Sequence, residues 1–402
     1  MGESLYFYLE PYVYVKKGEK EVLIVNLLDD KAIIFKDSAS IKIGNLLLSS
    51  QYRTIKITEN DKNIPIVINA IKNYMGDIVS AMAQPLQFDS EINNLSGIEA
   101  YRKATVYSKY NIGGFISNCT MFVDMKNQDS YDYIKFITGI ESTPENAIYN
   151  ASFKMNEEDI DYYIQELIKI NPNIILNICG VNKHLFDYIS SNYPSTILNL
   201  VISLRTLQLY PDILNRIKKK KLRYTLLLDL SHDNYNCYIN DELCSIYVKV
   251  TNDKDLYNAY NLSETGCQVK LCPILTSKNK DFIKSLFSIS YKELLNIKNK
   301  YRTIKINNLI NSNFWGNIYL FPQGKVRYSL GCGQLIEFHQ LYEKYKNDFL
   351  NGSFEWTFIR NFSNCSTCIF QYLCPSPNYI ETHLREKNLI KCLISKDAKV
   401  SS

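Results

Sequence analysis

The stretch NEEDIDYYIQELIKINPNIILNIC, residues 156–179, sets the class of the fold. Its first part spaces Ile160, Tyr163, Ile164, Leu167 and Ile168 by threes and fours, one apolar stripe of an α-helix, with Asn156 placed as its cap. Its last part, NIILNIC, is a run of strand length that is apolar almost throughout. A strand apolar along its length is covered on both faces. Alternating with amphipathic helices, such strands predict a parallel sheet under helices.

The alternation continues on both sides. GGFISN (113–118), TILNLVIS (196–203), YTLLLDL (224–230), CSIYVKV (244–250) and QVKLCPIL (268–275) read as strands. KHLFDYIS (183–190), YPDILNRIKKK (210–220), DLYNAYN (255–261) and NKDFIKSLF (279–287) read as helices. Six such strands are too few to close an eightfold barrel. The expected fold is therefore α/β, an open (β/α)6 partial TIM barrel over residues 111–300.

Residues 1–84 read as a separate unit. LYFYLEPYVYVKK, EVLIVNLLDD and KAIIFKD are β-rich and divided by turn residues at Gly18 and Asp29–Asp30. SASIKIGNLLLSS follows as a helix with a serine cap, QYRTIKIT as a strand, and DKNIPIVINAIKNYM as a helix ending before Gly76. That order points to a small winged-helix domain. Residues 85–110 are a weakly patterned connector, and 301–402 hold the hairpin NIYLFPQGKVRYSL, a helix LIEFHQLYEKYKN and a cysteine cluster.

Composition narrows the function classes. Of 402 residues 46% are hydrophobic and 22% charged, which is ordinary for a globular chain with a large core. No run approaches membrane-spanning length, and MGESLYFYLEPYVYV has no signal-peptide layout, so a cytoplasmic chain is expected. A net charge of +5 is small for this length, and Lys218–Lys221 suit a solvated helix end, so neither nucleic acid nor membrane is expected as a partner. His184, His232, His339 and His383 fall in no metal or nucleophile motif, and no phosphate-binding glycine loop occurs.

Eleven cysteines in a cytosolic chain argue against a disulfide framework, and most stand singly. The exception is NCSTCIFQYLC, residues 364–374, where Cys365, Cys368 and Cys374 have the Cys-x2-Cys-x5-Cys spacing of a metal clamp. Thiolate sets of this kind suit either an iron–sulfur cluster or tetrahedral zinc, and spacing alone does not separate them.

A winged-helix unit, a (β/α)6 core and a cysteine cluster beyond FPQGKVRYS together resemble radical S-adenosylmethionine peptide maturases with a SPASM extension, over nearly the whole chain. In that family a Cys-x3-Cys-x2-Cys loop holds the catalytic 4Fe–4S cluster. The matching positions here are Cys119, Val123 and Lys126, and one thiolate cannot hold a cluster that needs three. The family's Gly-Gly-Glu, which binds the cofactor's amino group, is matched by Cys179, Gly180 and Val181, and Val181 cannot accept those hydrogen bonds. The resemblance is thus to pseudo-radical-SAM proteins, of the type found in Bacteroidales peptide-modification systems, and LCPSPNYIE (373–381) strengthens it. No S-adenosylmethionine is expected.

The resemblance implies further that Cys365, Cys368, Cys374 and Cys392 hold one auxiliary 4Fe–4S cluster, with zinc as the alternative. A second auxiliary cluster is erased, since Ser329 and Asn378 stand where its cysteines would be; Cys332 is left over. It implies also that residues 1–84 are a recognition element for ribosomally made, modified peptides (RiPPs). Ala32, Ile33, Ile34 and Phe35 would form the strand that a leader peptide extends, and Ile64, Ile68 and Ile71 the groove helix. The expected function is a non-catalytic accessory binding the precursor leader, a true radical SAM maturase, or both, as a homo- or hetero-oligomer. The alternative is an enzyme with unrecognised chemistry at the barrel mouth.

Overall fold

A computed structural model describes residues 4–50, 53–81, 116–141, 153–230, 241–331, 334–341, 343–344, 347 and 355–394. The chain opens with β1 (Ser4–Leu9), β2 (Val13–Lys17), β3 (Val22–Asn26), β4 (Ala32–Phe35), α1 (Ser38–Ser49), β5 (Thr54–Ile57), α2 (Pro65–Lys72) and β6 (Gly76–Ala81). These make two antiparallel three-stranded sheets, β5-β1-β6 and β2-β3-β4. Phe7, Val15, Ile24, Phe35, Ile43 and Ile66 belong to one core that joins them.

Three details differ from the sequence reading. The run 5–17 is two strands, because a turn at Glu10–Tyr12, closed by Val13 N–H on Glu10 O (2.9 Å), sends each half to a different sheet. The cap of α1 is Asp37, whose carboxylate accepts from Ser40 N–H at 2.8 Å. And β6 follows α2 as an added strand beside β1.

The second body runs β7 (Asn118–Phe122), α3 (Gln128–Thr138), α4 (Glu157–Ile170), β8 (Ile175–Cys179), α5 (Lys183–Asn192), β9 (Leu198–Ser203), α6 (Leu204–Leu209), α7 (Pro211–Lys220), β10 (Arg223–Leu228), β11 (Cys244–Val250), α8 (Asp253–Glu264) and β12 (Gln268–Pro273). The opening stretch forms as read: Asn156 caps α4, reciprocated by Asp159, and Ile160, Tyr163, Ile164 and Leu167 are buried. Strands β7 to β12 are parallel and lie side by side in sequence order. The first differs in position from GGFISN: it begins at Asn118, and residues 113–115 lie outside the described residues.

The chain then forms α9 (Lys280–Phe287), α10 (Tyr291–Leu295), α11 (Lys300–Leu309), β13 (Asn317–Phe321), β14 (Lys325–Arg327), β15 (Ile336–Glu337), α12 (Ser363–Ser366) and α13 (Tyr379–Glu386). The hairpin β13–β14 is present, and β13 also pairs parallel with β7, so the large sheet has nine strands, mostly parallel. Residues expected to open a helix at 335 instead pair with β14 as β15 and turn through 338–340. The connector 85–110, His232 and Cys332 lie outside the described residues.

Candidate functional site

Strand alternation gives the large sheet an outer face and an inner one. Thr120 on β7, Asn177 on β8, Asn199 on β9, Thr225 on β10, Ser245 on β11 and Gln268 on β12 all line one cavity of about 820 Å³ on the inner face, which Tyr319 of β13 also borders. These residues sit in the first half of their strands or at its middle. The cavity therefore lies toward the strands' N-terminal ends.

The C-terminal half of the same face is covered by α3, which follows β7 directly and packs on β8, β9, β10 and β12. Asp129 anchors its start: one carboxylate oxygen accepts from Ser203 N–H (3.2 Å) and from the Thr206 hydroxyl (2.9 Å). Burial raises the Asp129 carboxyl above its ordinary range, against the lowering effect of those donors. Tyr133 lies between Phe122 and Tyr247, 6.4 and 6.3 Å away between ring centres, and its hydroxyl bonds Thr120. At the far end Gly139 O accepts from Leu275 N–H at 2.7 Å, just past β12.

This arrangement places the positions matched to a cofactor site. Cys119 lies inside β7, not in a loop after it; its neighbours on either side point to the inner face, so its thiol faces the outer one, fully buried, with its pKa raised by desolvation. Val123 is fully buried and Lys126 is exposed. The three positions therefore do not converge. Gly180 takes φ +80°, and a Cβ there would stand 2.5 Å from Ser130 Oγ and 2.6 Å from Asp124 O. Cys179 is buried against the inner face near Asp129, and Val181 is 9% exposed. The residues present do not fit a cluster that needs three thiolates, because Cys119 is the one thiol of the three positions and it is buried inside β7.

The cysteine segment is different. Cys365 and Cys374 are buried, Cys368 half-buried and Cys392 exposed. Cys368, Cys365 and Cys392 all act electrostatically on Cys374, whose thiol burial pushes up to about 12; Arg360 opposes that shift. Three sulfurs receive N–H donors: Cys368 from Phe370 N (3.4 Å), Cys392 from Ile394 N (3.3 Å), and Cys365 from Arg385 at 3.6 Å. Arg360 pairs with Glu381 at 2.5 and 2.8 Å, and Glu381 also holds Arg385, so the motif around Glu381 steers guanidinium groups toward the thiols. Such donors suit thiolates. As the side chains stand, no set of three or more His, Cys, Asp or Glu among the described residues is arranged to hold a metal ion. Ser329 is buried and Asn378 caps α13.

In the N-terminal unit β4 is the last strand of its sheet. Its side chains are divided: Ile33 and Phe35 belong to the unit's own core, whereas Ala32 and Ile34 pack against a second cluster that contains Ile369, Phe370 and Leu373 of the cysteine segment. Ile64 packs on the unit's core, while Ile68 and Ile71 of α2 are 46% and 37% exposed; Leu46 and Leu48 of α1 and Tyr74 are exposed as well. Of the residues read as peptide contacts, Ile68 and Ile71 are the ones left open to solvent.

Among the described histidines, His184 is exposed beside Glu157 (3.2 Å) and His383 has its pKa lowered by burial. A hollow of about 280 Å³ at the strands' C-terminal ends holds Asp132, Arg205, Asp229 and Lys249, the last two paired at 3.0 Å. The polar row on the inner face was not read from sequence. Its signal is a hydroxyl or carboxamide residue at the same parity in the first half or middle of each strand.

No family model matches the chain, and neither a curated protein nor a solved structure matches it.

Proposed function

We propose that this chain is a non-catalytic accessory protein of ribosomal peptide maturation, binding the leader of a precursor peptide, a radical S-adenosylmethionine maturase, or both. The observation that carries the reading is α3: a helix anchored by Asp129 and Tyr133 occupies the inner face at the strands' C-terminal ends, where a (β/α) enzyme keeps its reactive centre. Sequential order from β7 to β12, with helices between most of the strands, supports an open (β/α)6 partial barrel, and the degenerate positions support kinship with pseudo-radical-SAM proteins. Cys365, Cys368, Cys374 and Cys392 would hold one 4Fe–4S cluster or, alternatively, zinc, either of which supplies cross-linking of the segment when bound. Among the described residues no helix is long and apolar enough to cross a membrane; a cytoplasmic location remains part of the proposal.

The grip on the leader would use the outer edge of β4 for main-chain pairing and the exposed apolar faces of α1 and α2 for side chains. The hollow with Asp132, Asp229 and Lys249 favours the second reading, an enzyme acting at the C-terminal mouth.

Fluorescence anisotropy with labelled precursor peptides encoded beside the chain separates the two. Ile68→Glu with Ile71→Glu should weaken binding about tenfold or more, the loss of two apolar anchors, without lowering the melting temperature. Added S-adenosylmethionine should be neither bound nor cleaved. Turnover of it, or leader binding indifferent to both substitutions, overturns the proposal.

A further inference from the structure

We infer that the cavity on the inner face, at the N-terminal ends of the parallel strands, is a binding site for a neutral polyhydroxylated small molecule of monosaccharide to disaccharide size. This inference is independent of the peptide reading. A parallel sheet covered on both faces normally turns Val, Ile and Leu inward. Here six adjacent strands each turn at least one hydroxyl or carboxamide into the same space, among them Thr120, Asn177, Asn199, Thr225, Ser245 and Gln268. Register sets Thr120 beside Asn177, Asn177 beside Asn199, Thr225 beside Ser245 and Ser245 beside Gln268; Asn199, opposite Arg223, reaches Thr225 by a hydrogen bond. Asn177, Asn199 and Ser245 are half-buried and Gln268 is exposed, so the row faces an open space rather than a packed core.

The row is only partly satisfied from within. Asn199 Nδ2 donates to Asn177 Oδ1 (2.7 Å) and Thr225 Oγ1 (2.9 Å), which fixes the orientation of all three side chains. Asn177 Nδ2 and Asn199 Oδ1 have no hydrogen-bond partner among the described residues, so the pair presents a donor next to an acceptor. Alternating donors and acceptors on a fixed floor match vicinal hydroxyls, each of which gives and takes a hydrogen bond. The volume of about 820 Å³ falls within the range of small-ligand sites.

The neutral row suits a neutral ligand. The Lys270 ammonium is engaged by the Tyr247 ring (4.5 Å) and hydroxyl (3.5 Å), and Arg223 donates to Thr196 O. Glu242 stands exposed at the rim. These three charged groups are exposed at the cavity's border, whereas the row of hydroxyls and carboxamides itself carries no ionisable group. Nor does it offer a strand edge to a peptide, because β7 to β11 are each paired on both sides and only their side chains face the space.

Saturation-transfer NMR on the full chain tests this with glucose, galactose, maltose, lactose and myo-inositol, against inorganic phosphate and trialanine. At least one polyol should bind at about 10 mM or tighter, the weak end of small-ligand affinity. Asn199→Leu should abolish the transfer, and Thr225→Val, a smaller change that serves if the first variant folds poorly, should weaken binding about tenfold. The melting temperature of Asn177→Leu/Asn199→Leu should match or exceed that of the unsubstituted chain, as expected where polar groups serve a ligand rather than the fold. No polyol bound, a preference for phosphate or trialanine, or binding unchanged in both variants overturns the inference.

Discussion

Asp129 is 1% exposed, and desolvation is the largest influence on its carboxyl, raising its pKa despite donors from Ser203 and Thr206. Asp132, one α-helical turn on, is shifted the same way, again chiefly by burial. A carboxyl whose pKa is higher in the folded chain than in the unfolded one is bound to its proton more tightly when folded. Its contribution to stability is complete below the ordinary carboxylate value near 3.8 and is lost as pH rises through the raised folded value. Asn at position 129 keeps an oxygen to accept from Ser203 N–H and has nothing to ionise. Urea melts between about pH 4 and 8, spanning the carboxylate range and beyond, should therefore show the native chain losing stability relative to Asp129→Asn as pH rises. Parallel curves would mean that the helix start tolerates the charge and that the donors outweigh burial.

At the scale of elements, α3 and the turn after β8 interlock. Gly180 has φ +80° and lies against Ser130 of α3 and the Asp124 carbonyl, so a methyl group there meets both a left-handed backbone and atoms under 3 Å away. Gly180→Ala should cost about 2–4 kcal/mol, from strain and overpacking together, measured as a shift in urea midpoint; a change within experimental error would show that α3 is not firmly seated. This helix was invisible in the sequence because QDSYDYIKFIT buries Asp129 and Ser130 along with Tyr133 and Ile134, so no clean apolar stripe forms. By contrast α4 was legible to the residue, since its buried positions are all apolar and its cap lies just ahead of them. The strands were legible as elements, but not the difference between their faces: NIILNIC reads as one apolar run until alternation separates Ile174, Leu176 and Ile178 from Asn177. Cys119 was misplaced for a related reason, because the short β7 gives no periodic signal and its cysteine looks equally at home in a strand or a loop. The same limit applied to β4, where pattern located the strand but gave no sign that a second body covers Ala32 and Ile34.

For the whole molecule, the sheet β2-β3-β4 has two occupied faces. One faces its own core; the other, through Tyr14, Leu23 and Val25, packs on Ile369, Phe370, Leu373 and Cys374 of the cysteine segment and on Leu294 and Ile304. Polar contacts fix the junction. The Asp30 carboxylate accepts from Asn299 and Lys300 N–H at 2.7 Å, capping α11, while the buried Lys300 ammonium returns to Asp30 O (2.5 Å). Lys16 reaches Gln371 at 2.7 Å, three residues beyond Cys368. The N-terminal unit thus rests on the segment that carries the thiols, and a metal held there would stiffen the support under β4 without touching its outer edge. Purified anaerobically, the chain should carry about four irons or, on the alternative, one zinc, and Cys365→Ala should lose it. Removing the metal with a chelator should raise amide exchange in β2, β3 and β4 while leaving β7 to β12 protected, because the large sheet shares none of those contacts. Leader binding should weaken in parallel, since a mobile edge strand presents fewer aligned main-chain groups. Exchange unchanged in both bodies after the metal is gone would separate the two sites, leaving the cysteine segment a local staple and the N-terminal unit held by Asp30, Lys300 and the apolar contacts alone.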